Sequence, residues 1–513
     1  MAQSIEAEIK LVASTRMLAQ LRSDPFLAAT ETIASQVTTY FDTPDQRLYR
    51  AGASLRLRTG DGPHHQTLKL ARGGAAVRRS EWNRPASGDF PDPSAFPLRP
   101  QAALQRLLGD APLVPSAITR IERTTRRMHF GGSEITVTFD HGTLVAGGRE
   151  QAIDELELEL SSGRLADVLA LALKLPLGPE LGWSLESKAA QGHRLAFDLP
   201  LQPARARLVG LTPDMRIAAA FQAIGWNCLA QLLANSWTIR RGKGVEGVHQ
   251  ARVAIRRLRA ALSLFGKLVD EAEAAALEAE LKAAARTLAP ARELEVLAEL
   301  VGRTLPAEPG EHDHRELYDA LCSARDKAAG DARELLAQAP FQQLMLQVAQ
   351  WLEAGEWLTR LRGAGLDQPV APFAKRILKR RTRKLKRAGQ HLRGMSAKQR
   401  HRLRIAVKEL RYASEFFAGV FGAASERGPA QKFLVALGLA QDRLGELNDR
   451  AVAGRDLEAH FAGLDPIIAA RLGSQLAGLL AASGKSHRRL LNAAAKALDR
   501  ALDAPPRWSA KRA

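Results

Sequence analysis

Near residue 200 the chain changes its pattern, and one core cannot serve both parts. Before that point, short segments alternate apolar and polar positions and are broken by Gly and Pro: Ile5–Val12, Ala53–Arg58, Gln66–Leu70, Ile118–Phe130, Ile135–Phe139 and Glu155–Leu160. A period of two marks half-buried strands, so this part reads as mostly antiparallel sheet. From Asp214 onward, Ala/Leu/Arg/Glu-rich stretches repeat their apolar positions every 3.6 residues between Pro/Gly breaks, which reads as helix throughout. The expected organisation is α+β and multidomain: a strand-built domain over 1–200, a proline-bearing linker over 201–213, a helical domain over 214–505 and a basic tail at 506–513. A length of 513 residues is ample for two cores.

Charge divides the chain at the same place. Residues 1–209 hold 25 Lys and Arg against 23 Asp and Glu, whereas residues 210–513 hold 49 against 32. Nearly all of that excess sits in 371–411, where 16 basic residues face one acidic residue, Glu409. So local an excess implies a polyvalent anionic partner. Only two cysteines occur, Cys228 and Cys322, without neighbours at metal-ligand spacing, which argues against a disulfide scaffold and a structural zinc site. The start of the sequence lacks a basic and an apolar targeting region, and no run of about 18 consecutive apolar residues follows, so a soluble, cytoplasmic protein is expected, with no membrane partner.

The strand segments carry their charges in step with the pleat. Glu6, Glu8 and Lys10 share one face of Ile5–Val12, and Glu155, Glu157 and Glu159 share one face of a strand whose other face is Leu156, Leu158 and Leu160. Carboxylates this close repel, so cations should sit between them. Other strands supply cations at the same alternation: Arg56 and Arg58, Lys69, and Arg123. A closed barrel could gather them all inside. Arg79 and Glu81 read equally as part of that wall or as a solvated face.

The Glu6-x-Glu8-x-Lys10 opening, Leu55-Arg56-Leu57-Arg58, Lys69, the Phe139-Asp140-His-Gly142 turn, Glu155-Leu-Glu157-Leu-Glu159 and Ser187-Lys188 resemble, in order, the CYTH domain of triphosphate tunnel metalloenzymes. The resemblance implies an eight-stranded antiparallel β-tunnel with flanking helices, whose interior grips a triphosphate and one or two divalent cations. It implies Glu6, Glu8 and Lys10 as the catalytic group. Substrate ligands would be Arg56, Arg58, Lys69, Arg123 and Lys188. Carboxylates for Mg²⁺ or Mn²⁺ would be Glu6, Glu8, Asp140, Glu155, Glu157 and Glu159. Oxygen donors suit such hard cations, and forked guanidinium donors suit phosphate oxygens. Alignment with the family favours Arg123 among the dense bases Arg120–Arg127, with Arg126 in reserve, and favours Glu155 and Glu157 as the metal pair over Glu159. No Gly-x-Ser-x-Gly, Walker A loop or His-Glu-x-x-His is present.

In the helical part, residues 249–265 align without gaps with 401–417, seven of seventeen positions being identical. The shared frame is His249, Arg252, Arg256, Arg259 and His401, Arg404, Lys408, Arg411. At 100° per residue these fall within an arc of roughly 80°, opposite Leu258 and Phe265 or Leu410 and Phe417. Each helix therefore has one basic edge and one core edge, and a duplicated all-α helical bundle is expected. The run Lys375, Arg376, Lys379, Arg380, Arg383 precedes the second copy. These paired helices, the basic run and Leu447-Asn448-Asp449 resemble the CHAD domain; Arg292-Glu293-Leu-Glu295 differs from that family's Arg-Asp-x-Asp-like element. The resemblance implies inorganic polyphosphate along the basic surface, with each histidine either touching phosphate or capping and packing its helix. No Phe, Tyr or Trp lies between residues 374 and 411, which speaks against base stacking and hence against nucleic acid.

The joint expectation is metal-dependent hydrolysis of inorganic triphosphate by the tunnel, beside a polyphosphate-binding module that would associate the protein with polyphosphate granules. The rivals are an adenylate cyclase in the same tunnel and a non-catalytic polyphosphate-localising protein.

Overall fold

A computed structural model describes residues 4–61, 64–71, 77–242, 246–269, 272–302, 312–359, 365–421, 428–453, 470–476 and 484–503. The basic tail at 506–513 lies outside them. Contacts divide the chain into two compact units. The first comprises 1–204 with 229–243 and 336–355; the second comprises 205–228, 244–335 and 356–513. The division after residue 204 falls within the irregular segment 201–213, and two later helical segments group with the strands.

Among the described residues the first unit holds nine strands: β1 (Ser4–Ala13), β2 (Glu31–Asp42), β3 (Ser54–Gly60), β4 (His65–Ala71), β5 (Arg78–Pro85), β6 (Val114–Phe130), β7 (Ser133–Ala146), β8 (Arg149–Ser162) and the short β9 (Leu181–Trp183). They run in the order β5-β4-β3-β2-β6-β7-β8-β1-β9, with antiparallel pairing throughout the described strands. A further pairing of β5 with β1 closes the first eight strands into a barrel. The barrel is charged within and apolar without. Ile9, Leu11, Leu156 and Leu158 are fully buried on one side of their strands, while Glu6, Lys10 and Glu155 are buried on the other.

Helices cover the apolar side. They are α1 (Thr15–Ser23), α2 (Arg47–Arg50), α3 (Leu98–Leu108), α4 (Leu165–Ala172) and α5 (Lys188–Ala196). Leu104 and Leu108 of α3 pack with Leu55, Leu68 and Trp82. Ala189, Leu195 and Ala196 of α5 pack on Ala117, Leu144 and Ile153.

Two glycine pairs set the register of the wall. Gly131–Gly132 joins β6 to β7 and Gly147–Gly148 joins β7 to β8, each pair with both residues at positive φ (61° and 86°, 56° and 74°). Two-residue turns of this kind match strand twist, and glycine adopts them without a Cβ clash. The register they fix places Arg123 opposite Asp140, and Asp140 opposite Glu155.

Phe139–Gly142 is not the turn that its sequence suggests: β7 continues through it to Ala146. Gly142 serves strand packing instead, because a Cβ there would meet the Arg120 carbonyl at 2.1 Å. Two of the barrel strands, β2 and β5, lack the alternation that marks the others. In β2, Ile33 and Val37 are exposed and Thr, Ser and Gln fill many other places, so the apolar pattern is faint.

The later helices are α6 (Ile217–Arg241), α7 (Glu246–Val269), α8 (Ala272–Thr287), α9 (Ala289–Gly302), α10 (His312–Ala337), α11 (Ala339–Ala354), α12 (Val370–Gly389), α13 (Ala397–Phe416), α14 (Pro429–Ala453) and α15 (Gly484–Asp503). By length and composition α6 is apolar enough to cross a membrane, yet 72% of its most apolar window is buried within the fold. In the second unit Phe221, Phe265, Trp357, Phe373 and Phe417 form an aromatic core with ring centroids 4.9 to 6.2 Å apart. Phe265 and Phe417, equivalent positions of the repeat, approach each other at 6.2 Å. The two copies thus meet along their core edges, as their periodicity predicts.

Candidate active site

The barrel encloses a cavity of about 290 Å³. Its walls include Glu6, Glu8 and Lys10 of β1, Arg56 and Arg58 of β3, Lys69 of β4, Arg79 and Glu81 of β5, Arg123 of β6, Glu157 and Glu159 of β8, and Lys188 at the start of α5. The alternation of each strand delivers these side chains to one interior. Asp140 and Glu155 are buried against Lys188 rather than lining the space.

The ions fall into two groups. In the first, Lys188 Nζ lies 2.8 Å from Asp140, 2.6 Å from Glu155 and 2.7 Å from Glu157. Its contact with Glu155 Oε2 is an ion pair outside hydrogen-bond geometry, and the second Glu155 oxygen accepts from Gln191 at 2.7 Å. Arg123 donates one bond to each Asp140 oxygen (2.7 and 2.6 Å) and one to Glu157 (3.1 Å). Lys10 approaches Glu155 at 3.4 Å. Burial works against the charge on Lys188, yet Asp140, Glu155 and Glu157 hold that ammonium well above its ordinary pKa. Burial likewise opposes the Glu157 carboxylate, and Lys188 and Arg123 hold it well below the usual range.

In the second group Lys69 donates a short bond to Glu6 and lies 3.4 Å from Glu81, which Arg56 approaches at 3.8 Å. Here the carboxylates are in excess. Burial pushes the Glu6 carboxyl up to about 8, helped by Glu8 and Glu81 and opposed by Lys69. Glu8 and Glu159 stand directly opposite in the β1–β8 register. Glu159 keeps access to solvent, yet its desolvation by the wall, then Glu8 and Glu81, raise its carboxyl. Neither Glu8 nor Glu159 makes an ion pair with a described residue.

Arg58 presents the converse. It is held in the wall with no carboxylate at ion-pair distance among the described residues, and its Nε has no hydrogen-bond partner there. Burial, then Arg56 and Arg123, lower its guanidinium to about 9. One enclosed space therefore holds a cation in need of an anion and carboxylates in need of a cation.

Hard divalent cations fit the acidic side on this chemistry. Glu6, Glu8 and Glu159 offer under-neutralised oxygens, and Asp140, Glu155 and Glu157 present carboxylate oxygens within 4.8 Å of one another.

Of the twelve residues expected inside the tunnel, ten line the cavity and two, Asp140 and Glu155, support it. Arg126 does neither. It binds Glu31, the Leu27 and Arg22 carbonyls and the Phe139 face, because its odd spacing from Arg123 puts it on the other side of β6. Arg79 and Glu81 belong to the wall. The sequence reading missed Tyr40, Ser54, His65, Asn83 and Ser184, which also line the cavity. Neutral side chains add nothing to an alternating charge signal, and Tyr40 sits on β2, whose apolar pattern is faint.

The second unit carries the basic edges. Lys375, Arg376, Lys379, Arg380 and Arg383 of α12 are exposed. On α7, His249 and Arg252 share their surroundings with Arg256 and with Arg292 of α9: burial, then Arg292 and Arg256, lower the His249 imidazole to about 4. Arg292 is thus a further member of the basic cluster, although its sequence context departs from the family pattern. Among the described residues, Arg252 meets Glu293 (3.5 Å), Arg259 meets Glu278 (3.1 Å) and Arg411 meets Glu415 (2.8 Å). His401 is exposed in α13 and does not cap it, since Ser396 and Gln399 form a reciprocal capping box there. Arg404 and Lys408 are half-buried on the same helix. Leu447-Asn448-Asp449 falls within α14.

The family profile of the CYTH domain matches residues 4–192, and that of the CHAD domain matches residues 223–458. An inorganic triphosphatase of Haemophilus influenzae is 34% identical over 161 residues, covering 31% of this chain and 45% of that protein, so the match spans less than half the relative's length. An uncharacterized protein of Mycobacterium tuberculosis is 27% identical over 502 residues, 90% of each chain. The crystal structure of the CHAD domain from the plant Ricinus communis matches with a TM-score of 0.51 at 29% identity, covering 58% of this chain and 96% of that one.

Proposed function

Because the chain joins a CYTH domain to a CHAD domain, we propose that it hydrolyses inorganic triphosphate to pyrophosphate and phosphate in the barrel, with Mg²⁺ or Mn²⁺, and binds inorganic polyphosphate on its helical unit. The observation that carries the first half is the pairing of unmatched ions in one cavity: Arg58 without an anion, Glu8 and Glu159 without a cation among the described residues. A condensed phosphate chelating a divalent ion satisfies both at once.

The cation would be held by Glu6, Glu8 and Glu159, since Lys188 already occupies the space between Asp140, Glu155 and Glu157, and when bound would polarise a phosphoryl oxygen and acidify water. Arg56, Arg58, Arg123 and Lys69 bind and orient phosphate oxygens and offset charge as the terminal bond breaks. Lys188 holds the acidic cluster in place, and Lys10 backs Glu155. The cavity wall is mostly charged and polar, which suits a bare condensed phosphate better than a nucleotide.

The test is to incubate the protein with tripolyphosphate, ATP or long polyphosphate and Mg²⁺, following phosphate and cyclic AMP. Phosphate from tripolyphosphate is expected; cyclic AMP from ATP would establish the cyclase, and no turnover of any would leave a binding protein. Since Glu6 holds its proton up to about pH 8, cation binding must displace it. The Mg²⁺ concentration for half-maximal activity should therefore fall by up to about tenfold per unit as pH rises toward 8 and level off above it.

On the helical unit, Arg252→Ala with Arg404→Ala is expected to weaken retention on immobilised polyphosphate about tenfold and to flatten its salt dependence, leaving tripolyphosphate hydrolysis intact. An unchanged, equally salt-sensitive retention would remove the basic edges from the reading.

A further inference from the structure

Lys188, the ammonium that meets Asp140, Glu155 and Glu157, sits at the end of a strap running from β9 into α5, and the barrel is not all that holds this strap. Toward the cavity, Ser184, Leu185, Ser187 and Lys188 form part of the lining. The Ser184 amide donates to the Lys10 carbonyl at 3.0 Å, and Ser187 caps α5. Glu186, between them, is a junction. One of its carboxylate oxygens accepts from Arg194 Nε of α5 at 3.0 Å, and the other accepts from Trp237 Nε1 of α6 at 3.2 Å. Trp237 is buried, with the Arg241 guanidinium 4.2 Å from its ring centroid. At the start of the strap the Trp183 amide donates to the buried Gln342 side chain of α11 at 3.3 Å.

We infer that Trp237 and Gln342 are positioning residues for the barrel's chemistry: through Glu186 and Trp183 they clamp the strap that carries Lys188, so the acidic cluster is set by α6 and α11, which follow the barrel strands in the sequence. The inference rests on the proposed phosphohydrolase reading for its kinetic consequence, but the clamp itself does not. A half-buried carboxylate that accepts from two different helices fixes the backbone between them more tightly than either bond alone, because losing one donor leaves its charge less well solvated. Lys188 is two residues from Glu186, too near to keep its place if that backbone shifts. A displacement of about 1 Å at such a group is enough to slow chemistry severely.

Trp237→Phe keeps an aromatic ring and removes the N–H, while Glu186→Ala removes the junction and Glu186→Gln keeps one acceptor. In the full-length protein, amide hydrogen exchange followed by mass spectrometry is expected to quicken about tenfold in a peptide covering 181–190 for Trp237→Phe and Glu186→Ala, with β6–β8 unchanged. Gln342→Met, which takes away the acceptor for the Trp183 amide, should quicken the same peptide. Tripolyphosphate kcat should fall about tenfold while KM moves less than about threefold, and Glu186→Gln should recover part of the loss. Exchange unchanged in 181–190, or quickened equally across the barrel, would overturn the clamp. Local quickening with kcat untouched would overturn its positioning role. A wild-type protein that turns over no phosphate substrate would sink the phosphohydrolase reading instead, and the exchange result would still decide the clamp.

Discussion

Exchange of both Glu6 and Glu8 for glutamine is expected to lower tripolyphosphate turnover by about a thousandfold while leaving polyphosphate retention unchanged. The pair supplies under-neutralised oxygens to the acidic side of the cavity, and an amide of the same shape cannot carry their charge. A structural readout should move the opposite way. The Glu6 carboxyl ionises at about 8 in the fold against 4.5 for an ordinary glutamate, so folding disfavours its charged form. Below about pH 4.5 that penalty is absent; it grows as pH rises toward 8 and is constant above. In chelator, the variant should therefore melt higher than the parent at pH 9, and this advantage should shrink as pH falls to about 5. Equal melting at both values would mean that Glu6 is not held against its charge, and retained turnover would remove the pair from the chemistry.

Lys188→Met should have the largest effect on stability. Methionine keeps much of the length of the side chain and removes the one cation shared by Asp140, Glu155 and Glu157. Breaking a buried ion cluster by deleting one sign costs about 3–5 kcal/mol, because the remaining charges stay desolvated. The Lys188 pKa is raised in the fold, so its contribution is complete at neutral pH and would be lost only in strong alkali, above that raised value. A fall in urea midpoint at neutral pH measures the loss. Millimolar Mg²⁺ should restore part of it, since three carboxylate groups with oxygens within 4.8 Å of one another are then open to a divalent ion. A variant as stable as its parent in chelator would show that the cluster does not need the ammonium.

Charge alternation made the cage legible. Glu6, Glu8 and Lys10, the Arg56/Arg58 pair and the three alternating glutamates each declare one face of a strand, and those faces enclose one cavity. What pattern could not reveal was register. Whether Arg123 or Arg126 points inward depends on where β6 begins its pairing with β7, which the two-residue turn at Gly131–Gly132 decides. Strands with weak contrast also escaped, since β2 is polar on both faces over much of its length. On the helical side the repeat located the basic edges, but not the carboxylates of α8 and α9 that meet Arg259 and Arg252. Those pairings join residues distant in sequence, and helical period says nothing about which helix faces which.

The Gly-Gly hairpins also limit how this barrel can diversify. Inserting a single residue at either turn would shift β7 or β8 by one place, and with a side-chain period of two that would rotate a whole row of charges out of the cavity. Relatives that handle longer or shorter guests would then differ by exchanging side chains on strands of fixed length, whereas length polymorphism should gather in connections that do not set this pairing, such as the stretch between β5 and β6.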